Sequence, residues 1–133
     1  RRFHVGDEAG MGQAVKLANN FLSATALAAT SEAIAFGTSA GVDMATMLDV
    51  LNASSGRSAA TADKFVDHVV TGSFSSGFAN TLMAKDVTLY LEAALSEEAP
   101  ATIGHVTADI WRRFADAEPD VDFTRIYEFA KHR

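Results

Sequence analysis

Cysteine is absent from these 133 residues, which excludes disulfides and thiolate metal sites together. The four histidines, His4, His68, His105 and His132, are too scattered to suggest a zinc site, so no metal is expected. A surplus of positive charge is missing as well. Eleven Lys and Arg stand against 17 Asp and Glu, a formal net charge of -6, and nucleic acid or anionic lipid would meet like charge. Neither nucleic acid nor a membrane is therefore an expected partner. The most apolar stretch, Phe21 to Phe36, is bracketed or interrupted by Lys16, Asn19, Asn20 and Glu32, too short a run to span a bilayer, and reads as a buried helix. Arg1-Arg2-Phe3-His4-Val5 lacks the apolar core of a signal peptide, so a cytoplasmic setting is expected. There is no initiating methionine, which suggests a chain that starts inside a longer one.

What is present is helix-forming. The composition is 48% hydrophobic and 21% charged, which suits one well-buried domain and argues against disorder. Strand-like alternation is scarce. An alanine-rich pattern from Met11 to about Gly37 or Gly41 predicts a long first helix, much longer than the globular average, whose small side chains let another helix approach. Asp43 is placed to cap a short second helix with Met44, Met47, Leu48 and Leu51 on one apolar face. Ser58 follows a polar loop and can cap a third, with Phe65, Val66, Val69 and Val70 on its buried side. A Ser/Gly-rich loop at Gly72 to Gly77 leads to a fourth helix, from Phe78–Asn80 to about Leu95, in which Leu82, Val87, Leu89 and Leu91 supply apolar contacts. Pro100 suits the first position of a fifth, with Ile103, Val106, Ile110 and Phe114 at helical spacing, and Asp122 could cap a last one carrying Ile126, Tyr127 and Phe129.

Two constellations could carry chemistry. In Gly10-Met11-Gly12-Gln13-Ala14-Val15-Lys16-Leu17-Ala18-Asn19-Asn20, Lys16 and Asn20 stand four apart and share a helix face. A cation and an amide could approach one small polar ligand there, with Gly10 and Gly12 leaving room for it. Spacing alone also accommodates a solvated lysine and a pair of buried or interface amides. The two glycines are not a dinucleotide fingerprint, because Val15 occupies the position of the third glycine and no βαβ unit surrounds it. In the second constellation, Lys85 stands seven helical positions after Phe78, with Asp86 next to it. A ring and a cation could thus line one cleft wall, although a core aromatic and a surface charge pair fit the same spacing.

Both stretches resemble the β-hydroxyacid dehydrogenase family of the 6-phosphogluconate dehydrogenase superfamily, which includes 3-hydroxyisobutyrate dehydrogenase and tartronate semialdehyde reductase. The family's G-x-G-x-x-x-K-x-x-N-N signature matches Gly10 to Asn20, its F-x-x-x-x-x-x-K-D pattern matches Phe78, Lys85 and Asp86, and the Ser55-Gly56-Arg57-Ser58 loop is similar too. The spacer between Gly6 and Gly10 is one residue longer than the common form. The resemblance covers essentially the whole chain and implies an all-α fold like the 6-phosphogluconate dehydrogenase C-terminal domain, over residues 10–133. Residues 1–9 would then end the connection from a Rossmann domain, with Phe3-His4-Val5-Gly6 as its last strand.

The resemblance further implies Lys16 as catalytic acid and base, Asn20 and Gly12 at the substrate, and Lys85, Phe78 and Asp86 toward the cofactor. That cofactor is NAD or NADP, held mainly by the N-terminal Rossmann domain. The implied substrate is a small hydroxy acid or the matching semialdehyde or keto acid, and the expected assembly is a homo-oligomer, at least a dimer. The fragment alone is expected to be inactive. The alternative is a noncatalytic helical dimerisation module descended from the same family.

Overall fold

The computed structural model describes Phe3, His4, Gly6, Glu8 and residues 10–132. Five α-helices follow one another: α1 (Met11–Ser39), α2 (Met44–Asn52), α3 (Asn80–Ser96), α4 (Thr102–Ala117) and α5 (Ile126–Ala130). A π-wound helix (Ala60–Val69) lies between α2 and α3, and a 3-10 turn (Phe123–Arg125) leads into α5. Among the described residues there is no strand, only an isolated antiparallel bridge between Ala79 and Asp122. The expected all-α character is met. The strand expected over Phe3 to Gly6 includes Val5, which lies outside the described residues, and Phe3, His4 and Gly6 belong to no regular element.

The ends of α1 follow from its glycines. Gly10 precedes the helix at φ 96°, a left-handed conformation that costs glycine nothing. At the other end Gly41 is left-handed too (φ 95°), and two backbone bonds close the turn: Gly41 N–H to Thr38 O at 3.0 Å and Val42 N–H to Gly37 O at 2.9 Å. That pairing satisfies carbonyls the last turn would leave bare. Asp43 then caps α2 by accepting from the Thr46 N–H at 3.1 Å, as its position predicts. Gly37 is buried where α1 meets α2, and a Cβ there would lie 2.1 Å from Met47 Sδ.

Several apolar faces lie elsewhere than the sequence pattern suggests. Phe21 to Phe36 buries only one stripe, with Ala24, Leu27, Ala28 and Ile34 inside while Leu22, Ala29, Ala33 and Phe36 face outward. In the π-helix Phe65 and Val69 are buried but Val66 and Val70 are exposed. Its i→i−5 winding is seen in the Val70 N–H to Phe65 O bond of 2.8 Å, and Thr61, Phe65 and Val69, four apart, form its buried row. Ser58 caps it reciprocally with Thr61: each backbone N–H reaches the other's hydroxyl oxygen, at 2.9 and 3.3 Å. Helix α3 packs through Met83 and Val87, with Leu82 and Leu89 exposed. Helix α4 begins at Thr102, beyond Pro100, and buries Gly104, Thr107, Ala108, Trp111 and Phe114 in place of Ile103 and Val106. Trp111 fixes that rotation, because its indole N–H donates 3.1 Å to the Ala24 carbonyl of α1.

A line of rings runs through the interior. Phe78 meets Phe123 at 5.2 Å, Phe123 meets Trp111 at 6.1 Å, Trp111 meets Phe114 at 5.9 Å and Phe114 meets Phe129 at 5.3 Å. Aromatic pairs at such spacings contribute beyond their buried area. The line links the loop before α3 to the buried face of α4 and the end of the chain.

Candidate functional site

Helices α1 and α3 are tied side by side. Phe21 stacks on Tyr90 with ring centres 4.2 Å apart, and one residue earlier the Asn20 amide donates to the Asp86 carboxylate at 3.0 Å. The two stretches singled out in the sequence therefore touch. Lys16 lies one turn before Asn20 on α1, and Lys85 directly precedes Asp86 on α3; both lysines are exposed.

Below this tie opens a cleft of about 290 Å³ between α1, the π-helix, the Ser76–Phe78 loop and the 3-10 turn. Asn20 and Phe78 both line it, so an amide and an aromatic ring face one space. Gly12, Lys16, Lys85 and Asp86 are not among the lining residues. Asn19, the first of the amide pair noted in the sequence, lines it too, and residues that the sequence did not single out join it: Ser23 from α1, Lys64 from the π-helix and Ser76 from the loop. A second cleft of about 520 Å³ adjoins it and shares Asn19, Ser23 and Lys64. A separate cavity of about 500 Å³ between α1, α4 and α5 holds none of the predicted residues.

The loop that carries Phe78 is held from the far end of the chain. Phe123 N–H donates to Phe78 O and Asn80 N–H to Val121 O, both at 2.8 Å. The Asn80 side chain, fully buried, donates to Glu118 O at 2.7 Å and accepts from Val121 N–H at 3.1 Å, so its polar atoms are met. Asp122 is the hub. Its carboxylate accepts from Ser76 Oγ at 2.9 Å, Gly77 N–H at 2.9 Å, Thr124 N–H at 3.1 Å and the Thr124 hydroxyl. Burial pushes this carboxyl up, but the bonds from Thr124, Ser76 and Gly77 together outweigh it and hold it below its ordinary value. Asp122 was expected as a helix cap; it caps the 3-10 turn and also anchors the cleft wall.

No group of three or more His, Asp or Glu able to hold a metal occurs among the described residues. No helix among them is long and apolar enough to cross a membrane.

An all-helical domain with a polar-walled cleft beside its long first helix is the class these features define. The chain belongs to the family described as NAD-binding of NADP-dependent 3-hydroxyisobutyrate dehydrogenase, whose profile matches residues 10–130. Among curated proteins it is 37% identical to 2-(hydroxymethyl)glutarate dehydrogenase of Eubacterium barkeri, over 82% of this chain and 36% of that one. It is 34% identical to human mitochondrial 3-hydroxyisobutyrate dehydrogenase, over 92% of this chain and 38% of that one. Among solved structures, Mycobacterium tuberculosis 3-hydroxyisobutyrate dehydrogenase with L-serine superimposes with a TM-score of 0.87 at 29% identity, covering 96% of this chain and 45% of that one. The chain thus spans less than half the length of these relatives.

Proposed function

We propose that this chain is the C-terminal catalytic and oligomerisation domain of an NAD(P)-dependent β-hydroxyacid dehydrogenase, with residues 1–9 ending the connection from a dinucleotide-binding domain. The observation that carries the reading is the Asn20–Asp86 hydrogen bond, which joins the lysine-bearing stretch of α1 to the Lys-Asp stretch of α3. The nicotinamide cofactor supplies hydride transfer to or from the carbon bearing the substrate oxygen. Lys16 takes the hydroxyl proton as that carbon is oxidised and returns it to the oxygen in the reverse direction. Asn20, fixed through Asp86, hydrogen-bonds the substrate so that the reacting atoms stay in line, and Gly12 leaves space beside it. The half-buried Phe78 ring suits the flat face of a nicotinamide, and the exposed Lys85 suits an anionic group of the dinucleotide. The described residues contain no strand–glycine–helix unit for the pyrophosphate, so this domain alone should not turn over substrate.

The substrate is a small hydroxy acid, or the matching semialdehyde or keto acid. Leu22 and Phe36, 63% and 75% exposed on α1, favour subunit contacts along that helix and an assembly of at least two copies. A stable monomer in light scattering at micromolar concentration would count against that part.

The decisive experiment is steady-state kinetics on the complete enzyme. Lys16→Ala should lower turnover by about 10²–10⁴-fold with little change in cofactor affinity. Lys85→Ala should mainly raise the Michaelis constant for the dinucleotide. Near-normal turnover by Lys16→Ala across the pH range would overturn the mechanism and favour the noncatalytic assembly module.

A further inference from the structure

Lys64 is a half-buried lysine on the π-helix whose side chain lines both adjoining clefts, and no ion pair or hydrogen bond engages its ammonium among the described residues. The charge of these clefts is opposite to that of the molecule. The chain carries 17 acidic residues against 11 Lys and Arg, yet neither cleft has a carboxylate among its lining residues, and Lys64 is the cation in both. The cavity between α1, α4 and α5 has no such bias, because Glu32 lines it with Arg113 and Lys131. Around Lys64 the shared wall offers hydrogen-bonding groups: the Asn19 amide and the Ser23 hydroxyl, with the Ser58 hydroxyl in the larger cleft. Ala26 and Leu27 supply an apolar wall there. A half-buried lysine in clefts walled by amides and hydroxyls, with no carboxylate among the lining residues, is a receptor for an anion.

We propose that Lys64 binds a second carboxylate at the far end of the substrate, so that the paired clefts select a hydroxy dicarboxylic acid over a monocarboxylic one. This rests on the reading that places the reacting end of the substrate beside Asn20. Asn20 and Lys64 line the same smaller cleft, so one short molecule reaches both. The larger cleft gives a longer spacer room along Ala26 and Leu27. A neutral end group would leave the ammonium unpaired, and discrimination follows from that penalty.

The test is a chemical-shift titration of the 133-residue chain with glutarate, butyrate and inorganic phosphate, which reads binding independently of turnover. Glutarate should shift the backbone amides of Ser23, Lys64 and Gly77 and bind about tenfold more tightly than butyrate, as one charge-assisted contact would give. Lys64→Met should remove the preference and Lys64→Arg should keep most of it. Equal binding of glutarate and butyrate, a preference unchanged in Lys64→Met, or silence from both acids overturns the proposal. Phosphate binding as tightly as glutarate also overturns it, by assigning Lys64 to a phosphate. None of these outcomes touches the role of Lys16, which stands or falls on turnover of the complete enzyme.

Discussion

Asn20 and Asp86, 66 positions apart in sequence, share a hydrogen bond of 3.0 Å between α1 and α3. The bond uses the amide N–H₂ of Asn20, a residue that also lines the cleft. Because the pair is only partly buried, its coupling should fall below the roughly 1.5–3 kcal/mol of a hydrogen bond to a charged group, at about 1 kcal/mol. A double-mutant cycle of Asn20→Ala and Asp86→Ala in urea unfolding measures it. Strictly additive single effects would show that the bond contributes nothing to stability.

Acid should weaken the wall that carries Phe78. The folded Asp122 carboxyl is held below its ordinary value of 3.8, so its stabilising contribution is complete above that pH and drains away as pH falls below it. Asp122→Asn, which meets donors with an amide, should cost about 2 kcal/mol at neutral pH. The gap between wild type and variant should hold down to about pH 5 and close at lower pH. Unfolding curves at several pH values decide this, and a gap that widens with acid would reverse the sign assigned here.

Gly37→Ala sets two effects against each other. Alanine is favoured over glycine inside a helix by about 1 kcal/mol, whereas overpacking typically costs about 1–3 kcal/mol. With Met47 Sδ 2.1 Å from the added Cβ, the variant should be less stable by about 1 kcal/mol. In a Met47→Ala background the same change should become stabilising, because Met47 atoms are the contacts the Cβ would meet. Thermal melts of the four proteins read out the reversal.

Trp111 is the single tryptophan and is fully buried, so its fluorescence reports the core directly. Trp111→Phe removes the bond to Ala24 O and part of the ring contact with Phe123 and Phe114, which should cost about 2 kcal/mol. Unfolding of the wild type should red-shift the emission in one transition that coincides with loss of helical circular dichroism.

Helix order and most helix boundaries were legible because alanine, capping aspartates and paired glycines act locally, at Asp43 and Gly41 for example. Faces were less legible. Val66 and Val70 read as core beside Phe65 and Val69, but the buried row is Thr61, Phe65 and Val69, four apart, and its neighbours Val66 and Val70 fall outside it. Ile103 and Val106 outrank Gly104 and Ala108 in apolar character, but the Trp111 indole bond and the tight approach to Tyr90 and Leu91 decide which side faces in. At the cleft, Asn20 and Phe78 were visible through their spacing, as was Asp86, which lies outside the cleft and is tied to Asn20. Lys64 was not, because Asp63 beside it makes the pair read as ordinary surface charge. Asp122 signalled a cap through its type, while its bonds to Ser76 and Gly77 depend on residues 45 and 46 positions away.

The strip from Val121 to Phe123 that secures Phe78 and Asn80 belongs to the last turns of the chain. During synthesis on a ribosome α1, α2 and the π-helix emerge well before it, and the loop at Ser76 to Phe78 waits without its anchor. The cleft is therefore among the last parts of this domain to form, and a nascent chain cannot hold ligand there until Val121 to Thr124 have left the exit tunnel.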